Sequence, residues 1–419
     1  MNKKRIVWLC HLSNQEIRTY LPVRVPLLER IIRRVTHNPS KVNSDYAIWN
    51  TNGIREFEKF TEEIDLSIIA PYHYLECDEV RFSLRGINYY FFKDKPSYLL
   101  MEFRKRFLHR YDCSYKENRK RILHEINRIN PDVIHVIGAE NPYYSIAALD
   151  IPRTIPCIVQ LQTMLSDPKF KENYFMRPLD YSYRQKIEAR IIHRADYIGT
   201  TASEFIPIVK SIKPSAQIIP ICLALTEKQT GKNSSTSFDF VYFASSIDKA
   251  ADWAVEAFAI AHNSHPKISL DIIGSGSVGF VENLKQRVEE LGLSHSVTFE
   301  GRLATHDDVI KQIRKARFAL LPLKIDLISG TIREAMANGL PVVTTITPAT
   351  PSLNALRESV LLSEKGDHNA LSANMCRLIE DDEFSKTISD NAILTASESR
   401  SNESYMKEWK DFYCQVVDR

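Results

Sequence analysis

Nowhere in the 419 residues is there a run of about 18 apolar side chains, the length a membrane-spanning helix needs. No spanning helix is therefore expected. Asn2-Lys-Lys-Arg5 precedes only a short apolar stretch, Ile6 to Leu9, before His11, so the start reads as a first strand rather than a signal peptide. The seven cysteines include no Cys-x-x-Cys pair, which points to a reducing compartment, the cytoplasm, and away from zinc. No His/Cys cluster has metal-ligand spacing. Gly-x-Ser-x-Gly, the elbow of one serine-hydrolase class, is absent too. The net charge of +3 is too small to argue for nucleic acid by itself. No internal repeat is strong enough to use.

What is present is ordinary for a soluble protein: 44% hydrophobic and 26% charged residues, in a length that suggests two or three domains. Strand and helix patterns alternate, which argues for parallel α/β sheets. In the first half, Arg5 to Leu9, Leu66 to Ala70, Pro131 to Ile137, Thr154 to Leu161 and Asp196 to Thr200 read as strands. A helix over 119–129 places Ile122, Leu123, Ile126 and Ile129 on one face. The polar stretch Lys228 to Ser237 reads as a linker. Beyond it the pattern restarts: strand Phe238 to Phe243, a helix with Ala254, Ala257, Phe258 and Ala261, strand Ile268 to Ile273, helix Val281 to Leu291, and strand Val297 to Phe299. The expected division is two Rossmann-like domains, 1–228 and 236–395, followed by a terminal segment, 396–419. Its aromatic face, Tyr405, Trp409, Phe412, Tyr413 and Val416, must be buried.

The most informative stretch runs from Leu321 to Val343. An apolar run, Phe318 to Leu321, breaks at Pro322 into a polar loop. A short amphipathic helix follows, ended by Gly339, then the strand Pro341-Val342-Val343. Ser329, Gly330 and Thr331 are small enough to let backbone N–H groups meet an anion at the helix start. Glu334, one turn in, can accept hydrogen bonds from two vicinal hydroxyls, as on a ribose, or can simply favour the helix dipole. A nucleoside diphosphate suits the functional arrangement. Gly274-Ser-Gly276-Ser-Val-Gly279 mimics a dinucleotide fingerprint with Glu300 downstream. That fingerprint belongs to the first strand of its domain, however, and here it follows the second.

Pro322-x-x-x-Asp326-x7-Glu334-Ala-Met-Ala-x-Gly339-x-Pro341-Val-Val resembles the sugar-nucleotide signature of the retaining family-4 glycosyltransferases. Asp326 stands where those enzymes usually carry a first Glu, and Leu327-Ile-Ser-Gly330 replaces their Gly-Phe-Gly run. Lys249-Ala-Ala-Asp252-x3-Glu256-Ala-Phe258 is similar to their Lys-Gly-x-Asp helix, with Ala244 where an Arg is usual. The resemblance implies a GT-B architecture, two Rossmann-like domains facing a central cleft with the last helix crossing back to the first domain. It implies Lys249 on the donor phosphates, helped by Arg302 or Lys324. Asp326 would lie on the sugar, Glu334 on the ribose, and Ser329, Gly330, Thr331, Gly301, Arg302 and Gly274 around the nucleotide. It also implies that no metal and no bound cofactor is required, a UDP-sugar being the first donor to expect. The absence of any Asp-x-Asp pair argues against the metal-diphosphate site of the other major glycosyltransferase architecture.

The first domain is matched more loosely. Pro131-Asp-Val-Ile-His135-x-x-Gly138 resembles the family's fourth-strand segment and places Glu140 and Asn141 at the carboxyl end of the sheet. Gln162 occupies the position of a usual His, and His11-Leu-Ser-Asn14 stands in for a glycine-rich loop. His135, mid-strand, reads as a core histidine. Eight cations between Arg104 and Arg121, interleaved with Phe103, Phe107, Leu108, Tyr111 and Tyr115, suit an anionic membrane surface, a nucleic acid or a solvated face. The membrane is preferred and no nucleic acid is expected.

The resulting expectation is a retaining, metal-independent hexosyltransferase acting on a glycan or lipid-linked acceptor, in surface polysaccharide synthesis, on the cytoplasmic side of the membrane. A nucleotide-sugar epimerase of the same architecture and a non-catalytic sugar-nucleotide-binding protein are the alternatives.

Overall fold

The computed structural model describes residues 3–35, 42–111, 113–168, 178–202, 204–224, 236–324, 330–347, 349–398 and 401–418. It forms two compact units, Met1–Leu225 with Asn402–Arg419, and Thr226–Ser401. No helix among the described residues is long and apolar enough to cross a membrane. Most of the expected linker, up to residue 235, lies outside them.

Unit 1 is built on strands β1 (Lys4–Leu9), β2 (Ile64–Tyr72), β3 (Glu79–Leu84), β4 (Ile87–Lys93), β5 (Val133–Ile137), β6 (Cys157–Gln160), β7 (Tyr197–Gly199) and β8 (Gln217–Ile219). They lie in the order β3-β4-β2-β1-β5-β6-β7-β8. All neighbours are parallel except β3 and β4. The apolar runs Ile6 to Leu9 and Val133 to Ile137 are fully buried, as central strands covered on both faces must be. The β3–β4 hairpin turns through Arg85 (φ 48°) and Gly86 (φ 80°), the pair of positive φ values that a two-residue hairpin loop requires.

The terminal helix Asn402–Val417 packs on this unit. Met406, Trp409, Tyr413 and Val416 are buried against Ile6, Trp8 and Phe57, with Tyr405 and Phe412 at the margin. Tyr413 ties the helix down: its hydroxyl accepts from Trp8 Nε1 at 3.0 Å and lies 2.5 Å from His135 Nδ1. Trp409 Nε1 donates to the Cys222 carbonyl at 3.1 Å. Burial drives the His135 pKa down to about 3, so the ring is a neutral core histidine.

Unit 2 holds β9 (Phe238–Ser246), β10 (Leu270–Ser275), β11 (Val297–Gly301), β12 (Ala316–Leu321), β13 (Val342–Thr345) and β14 (Val360–Ser363). Their order is β11-β10-β9-β12-β13-β14, and every neighbouring pair is parallel. This is the doubly wound Rossmann order, whose direction reverses between β9 and β12. The helix Ala251–Ser264 buries Ala254, Ala257, Phe258 and Ala261 against the sheet.

Candidate functional site

Open α/β sheets bind ligands beyond the carboxyl ends of the strands where the order reverses. In unit 2 a pocket lies there. β9 and its following turn supply Tyr242, Phe243, Ala244, Lys249 and Ala250; β12 and its loop supply Leu321 to Lys324; and Thr331 closes the lining from the next helix. Lys249 therefore reaches the pocket from the turn Ile247–Lys249. Lys324 lies 2.6 and 2.7 Å from the Asp252 carboxylate oxygens and 5.0 Å from the Trp253 ring centroid. Two cations thus line one pocket, with a single carboxylate holding the second in place.

The helix Gly330–Ala337 begins at this pocket and buries Ile332, Ala335 and Met336. Gly339, at φ 72°, closes it. Leu340 N donates to the Ala335 carbonyl and Gly339 N to that of Met336, each at 3.0 Å, a Schellman cap. On this helix Glu334 lies 3.3 Å from His306 Nε2, with both side chains largely shielded, at 13% and 20% exposure. His306 opens the helix that follows β11, four residues beyond Arg302. The Glu334 carboxylate thus meets the start of the helix that follows the Gly301-Arg302 turn. Gly301 has φ 70° and open space where a Cβ would stand. Asp326 and Ser329 lie outside the described residues.

Gly274 has a packing role that the sequence did not announce. At φ 137°, a Cβ there would sit 2.1 Å from the Ala244 carbonyl oxygen, and one at Gly276 would sit 2.4 Å from Asp248 Oδ1. Asp248 in turn accepts from Ser277 N at 3.0 and 3.1 Å. The glycine turn therefore exists to let the β9 and β10 turns touch, in keeping with its place after the second strand.

Unit 1 has its own reversal point, between β1 and β5. Residues that the sequence left scattered meet beyond these strands. Glu140 Oε1 accepts from Asn141 Nδ2 at 2.8 Å. With the Gln162 amide oriented to satisfy its neighbours, its nitrogen donates to the same oxygen at 3.0 Å and its oxygen accepts from Trp49 Nε1 at 2.6 Å. The other carboxylate oxygen, Oε2, is buried and has no partner among the described residues. Burial pushes the Glu140 pKa up to about 7, with the nearby Glu188 carboxylate adding to the rise. His11 Nδ1 lies 3.3 Å from the Tyr144 hydroxyl, and its ring is flanked by Tyr46 and Tyr143 at 5.7 and 6.1 Å. Burial lowers the His11 pKa to about 4. Trp49, Tyr46 and Tyr143 were not singled out in the sequence, and no spacing pattern could have done so. His11 and Trp49 are joined to the site by folding, through the bond from Asn50 Nδ2 to the His11 carbonyl at 2.9 Å.

The cations from Arg104 to Arg121 do not form one free patch. Lys105 pairs with Asp180 at 2.8 Å, Arg121 with Asp78 at 3.4 Å, and Arg119 with Asp150. Among the described residues one group of possible metal ligands does assemble, His265, Cys376 and Glu380, with ligand atoms within 4.8 Å of one another. It joins the C-terminal ends of the helices Ala251–Ser264 and His368–Glu380. His265 already bonds Glu380 at 2.9 Å, and burial raises the Cys376 pKa. It serves as a tie between helices.

The chain thus holds two units built on largely parallel sheets, one of them doubly wound with a cation-lined pocket at its reversal point, and its structural neighbours share the GT-B fold. Residues 238–381 match the family model described as Glycosyl transferases group 1, which supports a glycosyltransferase. The chain is similar to sucrose-phosphate synthase from Thermosynechococcus elongatus, at 14% identity and TM-score 0.71 over 99% of this chain and 100% of that one. It is also similar to Anabaena HepE solved with UDP and glucose, at 13% identity and TM-score 0.63 over 98% and 100%. At such identities the likeness establishes the fold. The exopolysaccharide phosphotransferase of Streptomyces coelicolor is 26% identical over 174 residues, 41% of this chain, and the chain spans only 18% of that relative's length.

Proposed function

We propose that the chain is a retaining glycosyltransferase that takes a sugar from a nucleoside diphosphate, UDP-sugar first, and passes it to a glycan or lipid-linked acceptor at an anionic membrane in surface polysaccharide synthesis. The observation that carries this reading is the pocket at the unit 2 reversal point, where Lys249, Lys324 and the start of helix Gly330–Ala337 converge. That set suits a diphosphate: a lysine acts as a point charge, and a helix start adds backbone N–H groups.

In this mechanism Lys249 and the N–H groups at Ser329 to Thr331 stabilise the negative charge that grows on the departing diphosphate. Glu334, held by His306, orients the ribose diol. Asp326 positions the sugar. Glu140 and Gln162 meet hydroxyl groups, a task for which a carboxyl whose pKa is raised to about 7 can donate when protonated and accept when ionised. The bond from the anomeric carbon to the diphosphate oxygen breaks with its electron pair on that oxygen, and the acceptor hydroxyl oxygen bonds the same face as its proton passes to the departing diphosphate.

The test is transfer from an anomerically defined UDP-sugar, read by proton NMR with and without excess chelator. A product that keeps the donor's configuration, formed equally well in chelator, is expected. An inverted product, or loss of turnover in chelator, overturns the retaining, metal-free reading.

A further inference from the structure

Two helices of unit 1 carry apolar side chains on their outer faces. In Leu27–Val35, Leu27 is 64% and Ile31 53% exposed; in Tyr98–Phe107, Phe103 is 50% and Phe107 69% exposed. Each pair is spaced i,i+4, so each marks one stripe of its helix. The two phenylalanine rings rest on each other, with centroids 5.1 Å apart. Large apolar groups presented together to water mark an interaction surface.

Both helices are anchored at the same end of neighbouring strands. Glu29 accepts from His73 Nε2 at 3.2 Å and from the Tyr74 hydroxyl at 3.1 Å, just past β2. The second helix follows β4, whose Lys93 lies opposite Tyr72 in register. Asp94, one residue on, feels the charge of His73. The only carboxylate of the first helix, Glu29, is buried beneath it at 1% exposure. Its outer cations Arg30 and Arg34 are exposed, as is Arg110 after the second helix. None of the three has an ion-pair partner among the described residues. The stripes are therefore apolar with exposed cations beside them, while Lys105, Arg119 and Arg121 are already neutralised by their aspartates.

We propose that this rim docks onto an anionic lipid bilayer, with Leu27, Ile31, Phe103 and Phe107 entering the interface and Arg30, Arg34 and Arg110 meeting lipid phosphates. Amphipathic helices with basic flanks lie in that plane, and each surface cation adds attraction that salt screens. The inference rests on the reading above only for what the membrane presents, a lipid-linked acceptor. The docking itself needs no turnover.

Flotation of the full chain with vesicles of phosphatidylglycerol and phosphatidylcholine, against phosphatidylcholine alone, tests it. Wild type should float with the anionic vesicles. Ile31→Ser/Phe103→Ser/Phe107→Ser should lose at least about tenfold in affinity at any salt. Arg30→Gln/Arg34→Gln/Arg110→Gln should lose a similar factor at low salt and little more at high salt. UDP affinity and thermal unfolding should stay unchanged in both variants. Equal flotation of wild type and the apolar variant overturns the proposal. So does wild type that ignores the vesicles but forms a dimer that the serine variant dissolves. Vesicle binding without UDP binding would sink the glycosyltransferase reading and leave the docking standing.

Discussion

The two units each have a reversal point in a largely parallel sheet, but they differ in electrostatic character. At the reversal point of unit 2, Lys249 and Lys324 line the pocket and a carboxylate, Glu334, stands nearby against His306. At the reversal point of unit 1, burial keeps His11 neutral at pH 7 and raises the Glu140 pKa to about 7, so that its carboxyl is partly protonated there, among tyrosines and the Trp49–Gln162 pair. One crevice gathers charge and the other removes it. The fold supplies the same two crevices, and the side chains at the strand ends decide the ligand. A cationic pocket suits an anion such as a diphosphate. A buried, aromatic and hydrogen-bonding one suits hydroxyl groups.

The largest expected effect separates the units by stability. Trp409 is fully buried, 4.5 Å from the His135 ring. Trp409→Ala should cost about 3–5 kcal/mol, seen as earlier unfolding by urea. UDP affinity at temperatures where unit 1 is still folded should not change. A variant that loses UDP affinity there would break the separation.

Next is charge. Lys249→Ala removes one charge-assisted contact, about 1.5–3 kcal/mol, so UDP affinity by calorimetry should fall roughly tenfold to a hundredfold. Uridine, which lacks the phosphates, should bind both proteins alike. An equal loss for uridine would move Lys249 off the diphosphate.

A smaller effect lies in pH. The Glu140 pKa is raised in the folded state, so the folded chain binds this proton more tightly than the unfolded one. The stabilisation is present below the unfolded value near 4.5 and is lost as pH rises through about 7. His11 acts in the opposite sense: its lowered pKa costs stability as pH falls from 6.5 toward about 4. Glu140→Gln should therefore gain in melting temperature over wild type between pH 5 and pH 8. A constant offset between the two melting curves would mean that Glu140 is ionised in the fold.

Most of unit 2 was legible in the sequence because local pattern and tertiary role coincide there. The buried face of helix Gly330–Ala337 and its Gly339 cap follow from spacing and from one positive φ, and the restart at Phe238 follows from its apolar run. The β3–β4 hairpin was not foreseen. β3 alternates exposed and half-buried residues at a sheet edge, so it lacks the apolar run that marks the central strands, and only Arg85-Gly86 signals its turn. His135 was read correctly as core, and Tyr413, its partner, lies 278 residues away. Separation in sequence likewise hid the Trp49–Gln162–Glu140 chain and the His306–Glu334 pair, since neither leaves a periodic trace. The basic stretch was legible as composition but not as chemistry, because Asp78, Asp150 and Asp180 come to it only on folding.

The central claim is that Glu334 sits at the ribose of a bound nucleoside diphosphate. Titrating UDP and its 2′,3′-dideoxy analogue into wild type and Glu334→Ala by calorimetry tests it most directly. Wild type should prefer UDP, because each lost hydrogen bond to a charged group is worth about 1.5–3 kcal/mol. The variant should bind UDP roughly tenfold or more weakly and no longer distinguish the two ligands. A variant that binds UDP as well as wild type, or that still discriminates against the dideoxy analogue, would contradict the account.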